Sequence, residues 1–160
     1  MVTIRCCPPQ PPVDLLQLQI LPAQQPFVLP IADILQQQRQ GEHFHLLYQQ
    51  QQLIGFFMLD IEYVRFHSFA QPYDLGLRGF FIDVKAQGNG YAKSALNQLP
   101  GYVQQHYPTA RRLVLTVNCR NAAARQLYLA TGFQDSGTMF HGGPSGPQHV
   151  MWQTIQSIQR

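Results

Sequence analysis

Phe81-Ile82-Asp83-Val84-Lys85-Ala86-Gln87-Gly88-Asn89-Gly90-Tyr91-Ala92 is the stretch on which the reading of this chain turns. It joins an apolar run, Leu77 to Val84, that reads as a strand to a helical stripe of Ala92, Ala95, Leu96, Leu99, Tyr102 and Val103 within Tyr91 to Gln105. A glycine-rich turn between a strand and a helix aims several unpaired backbone N–H groups, and the positive end of the helix, at one point in space. That is an anion site suited to a pyrophosphate. The glycine spacing differs from the dinucleotide-binding fingerprint, and the segment after the helix, Tyr107-Pro108-Thr109-Ala110-Arg111-Arg112, lacks the acid that would hold a ribose. No Gly-Lys-Ser/Thr follows either, so the nucleoside-triphosphate loop is excluded.

Outward from that turn, helix-type and strand-type segments alternate, which points to one mixed α/β (α+β) domain over residues 1–160. Upstream, Val2 to Cys6 reads as a strand ended by prolines, Asp14 to Leu21 and Ile31 to Gln40 as helices separated by Pro22, Pro26 and Pro30. Phe44 to Tyr48 and Leu53 to Leu59 form a predicted hairpin with Gln49-Gln50-Gln51-Gln52 at its tip, and Asp60 to Asp74 an irregular loop. Downstream, Pro100 predicts a kink or early end of the helix near Asn97. Leu113 to Val117 is a buried strand, Asn121 to Ala130 a helix stopped by Gly132-Phe133. Thr138 to Phe140 and Val150 to Ile155 are closing strands around the loop Gly142-Gly143-Pro144-Ser145-Gly146-Pro147.

The totals narrow the function classes. A formal charge of +3 with 12% charged residues gives no nucleic-acid footprint, although it suits an anionic small molecule. The three cysteines, Cys6, Cys7 and Cys119, fit neither a disulfide framework nor a metal spacing, and the six histidines form no zinc-type set. No stretch reaches the roughly 18 apolar residues of a membrane span, and the start has no secretory pattern. The expectation is a cytoplasmic protein with no nucleic-acid, membrane or metal partner; a homodimer is left open.

The Gly-rich stretch resembles the Gln/Arg-x-x-Gly-x-Gly/Ala signature of the GNAT superfamily of acyl-CoA N-acyltransferases. Val117-Asn118-Cys119-Arg120-Asn121, followed by Ala124, Leu127-Tyr128 and Gly132-Phe133, is similar to that superfamily's second block. The resemblance spans about half the chain, Leu75 to Ile155. It implies a mostly antiparallel sheet with flanking helices, in which the parallel strands Leu77–Val84 and Leu113–Val117 splay apart to admit acetyl-CoA. It implies cofactor contacts from Ile82, Asp83, Val84, Gln87, Gly88, Asn89, Gly90, Tyr91, Ala92 and Lys93, and from Asn118, Asn121 and Tyr128. Strand N–H groups at Ile82 to Val84 would pair with the pantetheine arm and stabilise the oxyanion of a tetrahedral intermediate. Tyr128 is the implied general acid, a phenol near pKa 10 delivering a proton to a thiolate whose thiol has a pKa of about 8.5. Simple packing of Tyr128 on the sheet, and simple helix capping by Asn121, are the alternatives.

The sequence also departs from the family. Leu75-Gly76-Leu77-Arg78-Gly79-Phe80-Phe81-Ile82 carries no glutamate that would serve as a base. Asp83 stands at the strand end, where a solvent-facing side chain is the alternative, and the remaining candidates are Glu62, Asp60, Asp74, His67 and His149. The amine-binding end is expected among Glu62, Tyr63, His67 and Tyr73 and the loop from His141 to His149, with Glu62, Tyr73 and His149 as substrate residues. The reading is an N-acetyltransferase acting on a primary amine of a small molecule or peptide. The alternatives are a non-catalytic acyl-CoA sensor and a protein N-terminal acetyltransferase.

Overall fold

The computed structural model describes residues 1–155; residues 156–160, which the single-domain expectation includes, lie outside the described residues. Seven strands form one sheet: β1 (Val2–Cys6), β2 (Glu42–Gln49), β3 (Gln52–Asp60), β4 (Asp74–Ile82), β5 (Arg112–Asn118), β6 (Gln134–Phe140) and β7 (Gln148–Thr154). Their order is β1-β2-β3-β4-β5-β7-β6, with β4 and β5 parallel and every other neighbour antiparallel. The helices are α1 (Ile31–Gln36), α2 (Tyr63–Phe66), α3 (Tyr91–His106) and α4 (Ala122–Ala130).

The period-2 alternation of β4 and β5 sorts side chains between two faces. Leu75, Leu77 and Ile82 with Leu113, Leu115 and Val117 join Ala95, Leu96, Leu99 and Val103 of α3 in the larger core, against which Leu127 and Tyr128 of α4 also pack. On the other face Phe44, Leu46, Phe56, Met58 and Phe81 meet Leu15, Leu18, Ile31 and Ile34. Tyr63, Val114 and Val150 form a third, aromatic-rich cluster with Phe69, Phe140 and Trp152.

Several expected boundaries move for identifiable reasons. Asp14 to Leu21 is not an α-helix: a 3₁₀ turn at Val13–Gln17 gives way to extended chain. The Gln19 N–H donates to Asp83 Oδ1 (2.8 Å) and the Gln19 carbonyl accepts from Val84 N–H (2.8 Å), bonds that a continued helix would forbid. Helix α1 stops at Gln36 rather than Gln40, because the Arg39 N–H donates to Glu42 Oε1 instead of a preceding carbonyl. Helix α3 runs through Pro100 to His106 without ending near Asn97. A mid-helix proline costs ~3 kcal/mol, and each fully buried large apolar side chain returns ~1.5–3 kcal/mol. Leu96, Leu99 and Val103, all buried, outweigh that cost. The Asp60–Asp74 loop contains the one-turn helix α2, and β4 starts at Asp74 and closes at Ile82, leaving Val84 in a 3₁₀ turn.

Strand β4 is irregular along both of its edges. Phe56 pairs with Phe81 and Met58 with Arg78, so Gly79 and Phe80 oppose the single residue Phe57 in a β-bulge. Gly79 takes the positive φ (+63°) that such a bulge demands. On the other edge, pairing with β5 is confined to Asp74↔Arg112, Leu75↔Leu113 and Gly76↔Val114, and beyond these residues the two strands part.

Candidate active site

The parting of β4 and β5 opens a cleft of about 660 Å³. One end is closed by the turn after β4. There Gly88 (φ +82°) and Gly90 (φ +75°) both adopt left-handed conformations, and a Cβ built on either meets no atom within 4 Å. Asn89 Nδ2 donates to the carbonyls of Ala86 (3.0 Å) and Gln87 (3.3 Å), which braces the turn from below. Gly90 is the N-cap of α3 and supplies no side-chain cap, so the first-turn N–H groups face the open space above the glycines. Lys93, in that first turn, adds a positive charge to the lining.

The middle of the cleft is an unpaired strand edge. Asp83 N–H donates to the Ile54 carbonyl (2.7 Å), one residue beyond the Gly55↔Ile82 pair. In an antiparallel ladder this marks Gly55↔Ile82 as a non-hydrogen-bonded pair, so the Ile82 N–H and C=O point away from β3 and into the cleft. Gln87 Nε2 donates to that carbonyl (3.0 Å), leaving the N–H directed at the gap. Of the expected trio Ile82, Asp83 and Val84, only Ile82 lines the cleft. The Asp83 and Val84 N–H groups are committed to Ile54 and Gln19, and the Asp83 carboxylate holds Gln19, so its side chain is structural and no base.

Across the gap stands α4. Asn121 Oδ1 accepts from the Ala124 N–H (3.3 Å) as an N-cap, and its side chain also borders the cleft, so capping and lining coexist. The helix ends in a Schellman arrangement: Phe133 N–H donates to the Tyr128 carbonyl (3.0 Å) and Gly132 N–H to that of Leu129 (3.5 Å). This fixes the turn that carries Tyr128, whose ring meets Phe133 edge-on (5.5 Å between centroids). Tyr128 lines the cleft, and burial pushes its phenol well above the usual value of 10. It is protonated at neutral pH and has a proton to give.

Asn118 is held at both ends of its amide: Oδ1 accepts from the Arg120 N–H (2.9 Å) and Nδ2 donates to the Ser145 carbonyl (2.8 Å). Ser145 Oγ in turn donates to the Pro26 carbonyl (2.6 Å), and Gln87 Nε2 approaches Gln24 Oε1 (3.4 Å). The cleft is also walled by two loops, residues 24–29 and 144–145. Ser145 belongs to the expected acceptor loop. Phe27, Val28, Leu29 and Arg78 were not among the residues singled out from sequence. Nothing local marks residues 24–29; their position depends on contacts more than 50 residues away in the chain.

Ile82, Gln87, Gly88, Gly90, Tyr91, Ala92, Lys93, Asn118, Asn121 and Tyr128 are thus brought together on one cleft, while Asp83, Val84 and Asn89 are not part of its lining. Glu62, Tyr73 and His149 lie outside it. Glu62 pairs with Arg65 (3.3 Å), Tyr73 is exposed beneath Arg111, and His149 faces Asp135 (3.5 Å). Asp74 is gripped by Arg112 through two hydrogen bonds (2.8 and 2.7 Å), and Tyr63 is buried with its ring against Gly76. His67 stacks on Tyr63 (3.9 Å), and burial lowers its pKa. No group of three His, Cys, Asp or Glu side chains capable of holding a metal occurs among the described residues. No helix among them is long and apolar enough to cross a membrane.

A splayed parallel pair with a glycine turn at its mouth defines an acyl-CoA-binding class of fold, and comparison with known proteins agrees. The sequence profile of the Acetyltransferase (GNAT) family matches residues 13–133, and the chain belongs to that family. Acetyl-CoA is the cosubstrate of this family. A relative, the uncharacterized N-acetyltransferase YbbJ of Bacillus subtilis (strain 168), is 33% identical over 99 residues, covering 61% of this chain and 61% of its own length. The spermidine N-acetyltransferase of Vibrio cholerae, solved with CoA and spermine, superposes with a TM-score of 0.71 at 19% identity over 96% of this chain and 95% of that one. AAC(6')-Ib with ribostamycin and coenzyme A gives 0.75 at 16% identity over 96% and 93%. These two likenesses establish the shared fold.

Proposed function

We propose that this protein transfers the acetyl group of acetyl-CoA directly to a primary amine of a small molecule or peptide. The observation that carries the reading is the unpaired edge of β4 beyond Gly76, with the Ile82 N–H facing the gap and an uncapped helix start at one end of it. Pyrophosphate binds over Gly88 and Gly90, where the first-turn N–H groups of α3 and the Lys93 ammonium are available. The pantetheine amides pair with the strand edge as an added strand would.

In the chemical step the amine lone pair attacks the thioester carbon, and the carbonyl oxygen takes up the negative charge within reach of the Ile82 N–H. Collapse of that intermediate breaks the C–S bond. The thiolate takes the Tyr128 proton and leaves as CoA thiol, the nitrogen loses its extra proton to bulk water, and water reprotonates the phenolate. Acetylated amine and CoA thiol are the only products. The rival reading, a non-catalytic acyl-CoA sensor, draws on one feature: no aspartate or glutamate lines the cleft among the described residues. Amine-dependent release of thiol from acetyl-CoA decides between them. Release above the amine-free rate supports transfer, whereas tight binding without release from any primary amine supports the sensor.

A further inference from the structure

Around Arg78 the cleft changes character. Phe27, Val28, Leu29, Ile34 and Met58 give it apolar walls, and its only charged lining residues among the described residues are Lys93, at the pyrophosphate turn, and Arg78. Arg78 pairs across the ladder with Met58, so its side chain emerges on the same face of the sheet as Met58 and Ile34. Behind it lie two carboxylates, Glu42 and Asp60, which Arg39 also contacts.

The relative exposures decide what a ligand meets. The side chain of Arg78 is 34% exposed, whereas those of Glu42 and Asp60 are 5% and 1% exposed. The acids balance the cation without being reachable from the cleft. Both ion pairs of Arg78 run through the single nitrogen Nη1. The Nε–Nη2 edge, whose two parallel N–H groups match a carboxylate, has no partner among the described residues.

Resting on the proposed acetyl transfer, we infer that the acceptor is a small amine that also carries a carboxylate and an apolar group, the combination present in an apolar α-amino acid. Arg78 receives the carboxylate, the walls from Phe27 to Leu29 and Ile34 take the apolar group, and the amine is turned toward Ile82. A polyamine or an aminoglycoside brings several positive charges to a chamber whose one charged group is a guanidinium and which offers no acid to hold them. The acids on this sheet face, Glu42 and Asp60, are buried in pairs with Arg39 and Arg78, and the arginine is the group left facing the cleft.

The test uses the full chain with acetyl-CoA and reads thiol release for L-leucine, L-methionine and L-phenylalanine, for their three amides, and for spermidine; acetyl-CoA affinity is measured separately by calorimetry. The expected result is a kcat/KM at least tenfold higher for one or more amino acids than for the matching amide, and no release with spermidine. The amides have the less basic amines and the larger neutral fraction, so each kcat/KM is compared per neutral amine, which removes easier deprotonation from the comparison in both directions. In the double variant Arg78→Gln, Glu42→Gln, which removes one charge of each sign and keeps the buried cluster neutral, the preference should collapse while acetyl-CoA affinity stays unchanged. Preference for amides or for spermidine, no turnover of any amino acid by a wild type that binds acetyl-CoA, or discrimination that survives in the double variant would overturn the assignment. If the double variant fails to fold, the wild-type panel alone decides. Failure of the wild type to bind acetyl-CoA would instead overturn the transfer reading beneath it.

Discussion

Gly90 combines a φ of +75° with empty space where a side chain would begin. In Gly90→Val the new methyls occupy the volume over the uncapped helix start, and an L-residue in this conformation costs ~1–2 kcal/mol. Calorimetry should show acetyl-CoA affinity reduced at least tenfold in a protein that remains folded, and unchanged affinity would remove the pyrophosphate from this turn. Tyr128→Phe keeps the ring against Phe133 and deletes only the donor. Turnover should fall by ~10² with little change in acetyl-CoA affinity; equal turnover of the two proteins would leave Tyr128 as a packing residue. His45 gives a residue-scale prediction away from the cleft. It is 1% exposed, stacked on Phe57 (4.9 Å), and desolvation lowers its pKa from 6.5 to about 4. The unfolded chain therefore binds more protons than the folded one between those values. Stability from this group is complete above pH 6.5 and is lost as pH falls toward 4. The slope is at most ~1.4 kcal/mol per pH unit. Denaturant midpoints of wild type and His45→Phe at pH 5 and pH 7 should differ in this pH dependence, and parallel profiles would contradict the assignment.

Among the elements, the segment from Gln19 to Leu29 matters more than its lack of regular structure suggests. It reaches the cleft because Asp83 at the end of β4 holds Gln19, while Gln87 and Ser145 meet Gln24 and Pro26. Asp83→Ala leaves the Gln19 N–H without its acceptor, which costs ~1–3 kcal/mol. It should also raise the acceptor KM more than the acetyl-CoA KM, since the freed segment walls the acceptor end. Asp83→Asn retains an acceptor oxygen and should recover most of both losses. Steady-state kinetics with each substrate varied, alongside urea unfolding, checks this; equal effects on the two KM values would show the tie to be general scaffolding. The bulge at Gly79 acts at the same scale. It bends β4 at the level where pairing with β5 has ended, so a local irregularity and a missing ladder combine into one opening.

Across the whole molecule six of the eight acids are held by partners of their own, Asp135 among them through Arg125. Asp74 is held by Arg112, Asp60 and Glu42 by Arg39 and Arg78, Asp83 by Gln19, and Glu62 by Arg65. With none of them lining the cleft, the amine must arrive neutral. An alkyl amine with a pKa near 10.4 is neutral in only about one part in a few thousand at pH 7. Acceptor kcat/KM should then rise about tenfold per pH unit and level off only near the acceptor's own pKa. A plateau reached already between pH 6 and 7, in a pH–rate profile at saturating acetyl-CoA, would reveal a base on the protein. The sequence by itself determined the strand-turn-helix of Ile82 to Tyr91, the cap at Asn121 and the stop at Gly132, because glycine, asparagine and apolar periodicity act within a few residues of where they stand. It also determined that β4 carries no acid between Leu75 and Ile82. Only the tertiary structure decided that α3 continues through Pro100, that Asp14 to Leu21 is not a helix, and that Glu62, Tyr73 and His149 stand away from the cleft. It alone placed Arg78 and the loop of residues 27–29 on the lining of one cleft. Those outcomes rest on burial against a sheet and on hydrogen bonds between residues far apart in the chain, and no local pattern of residues records which distant groups a fold will bring together.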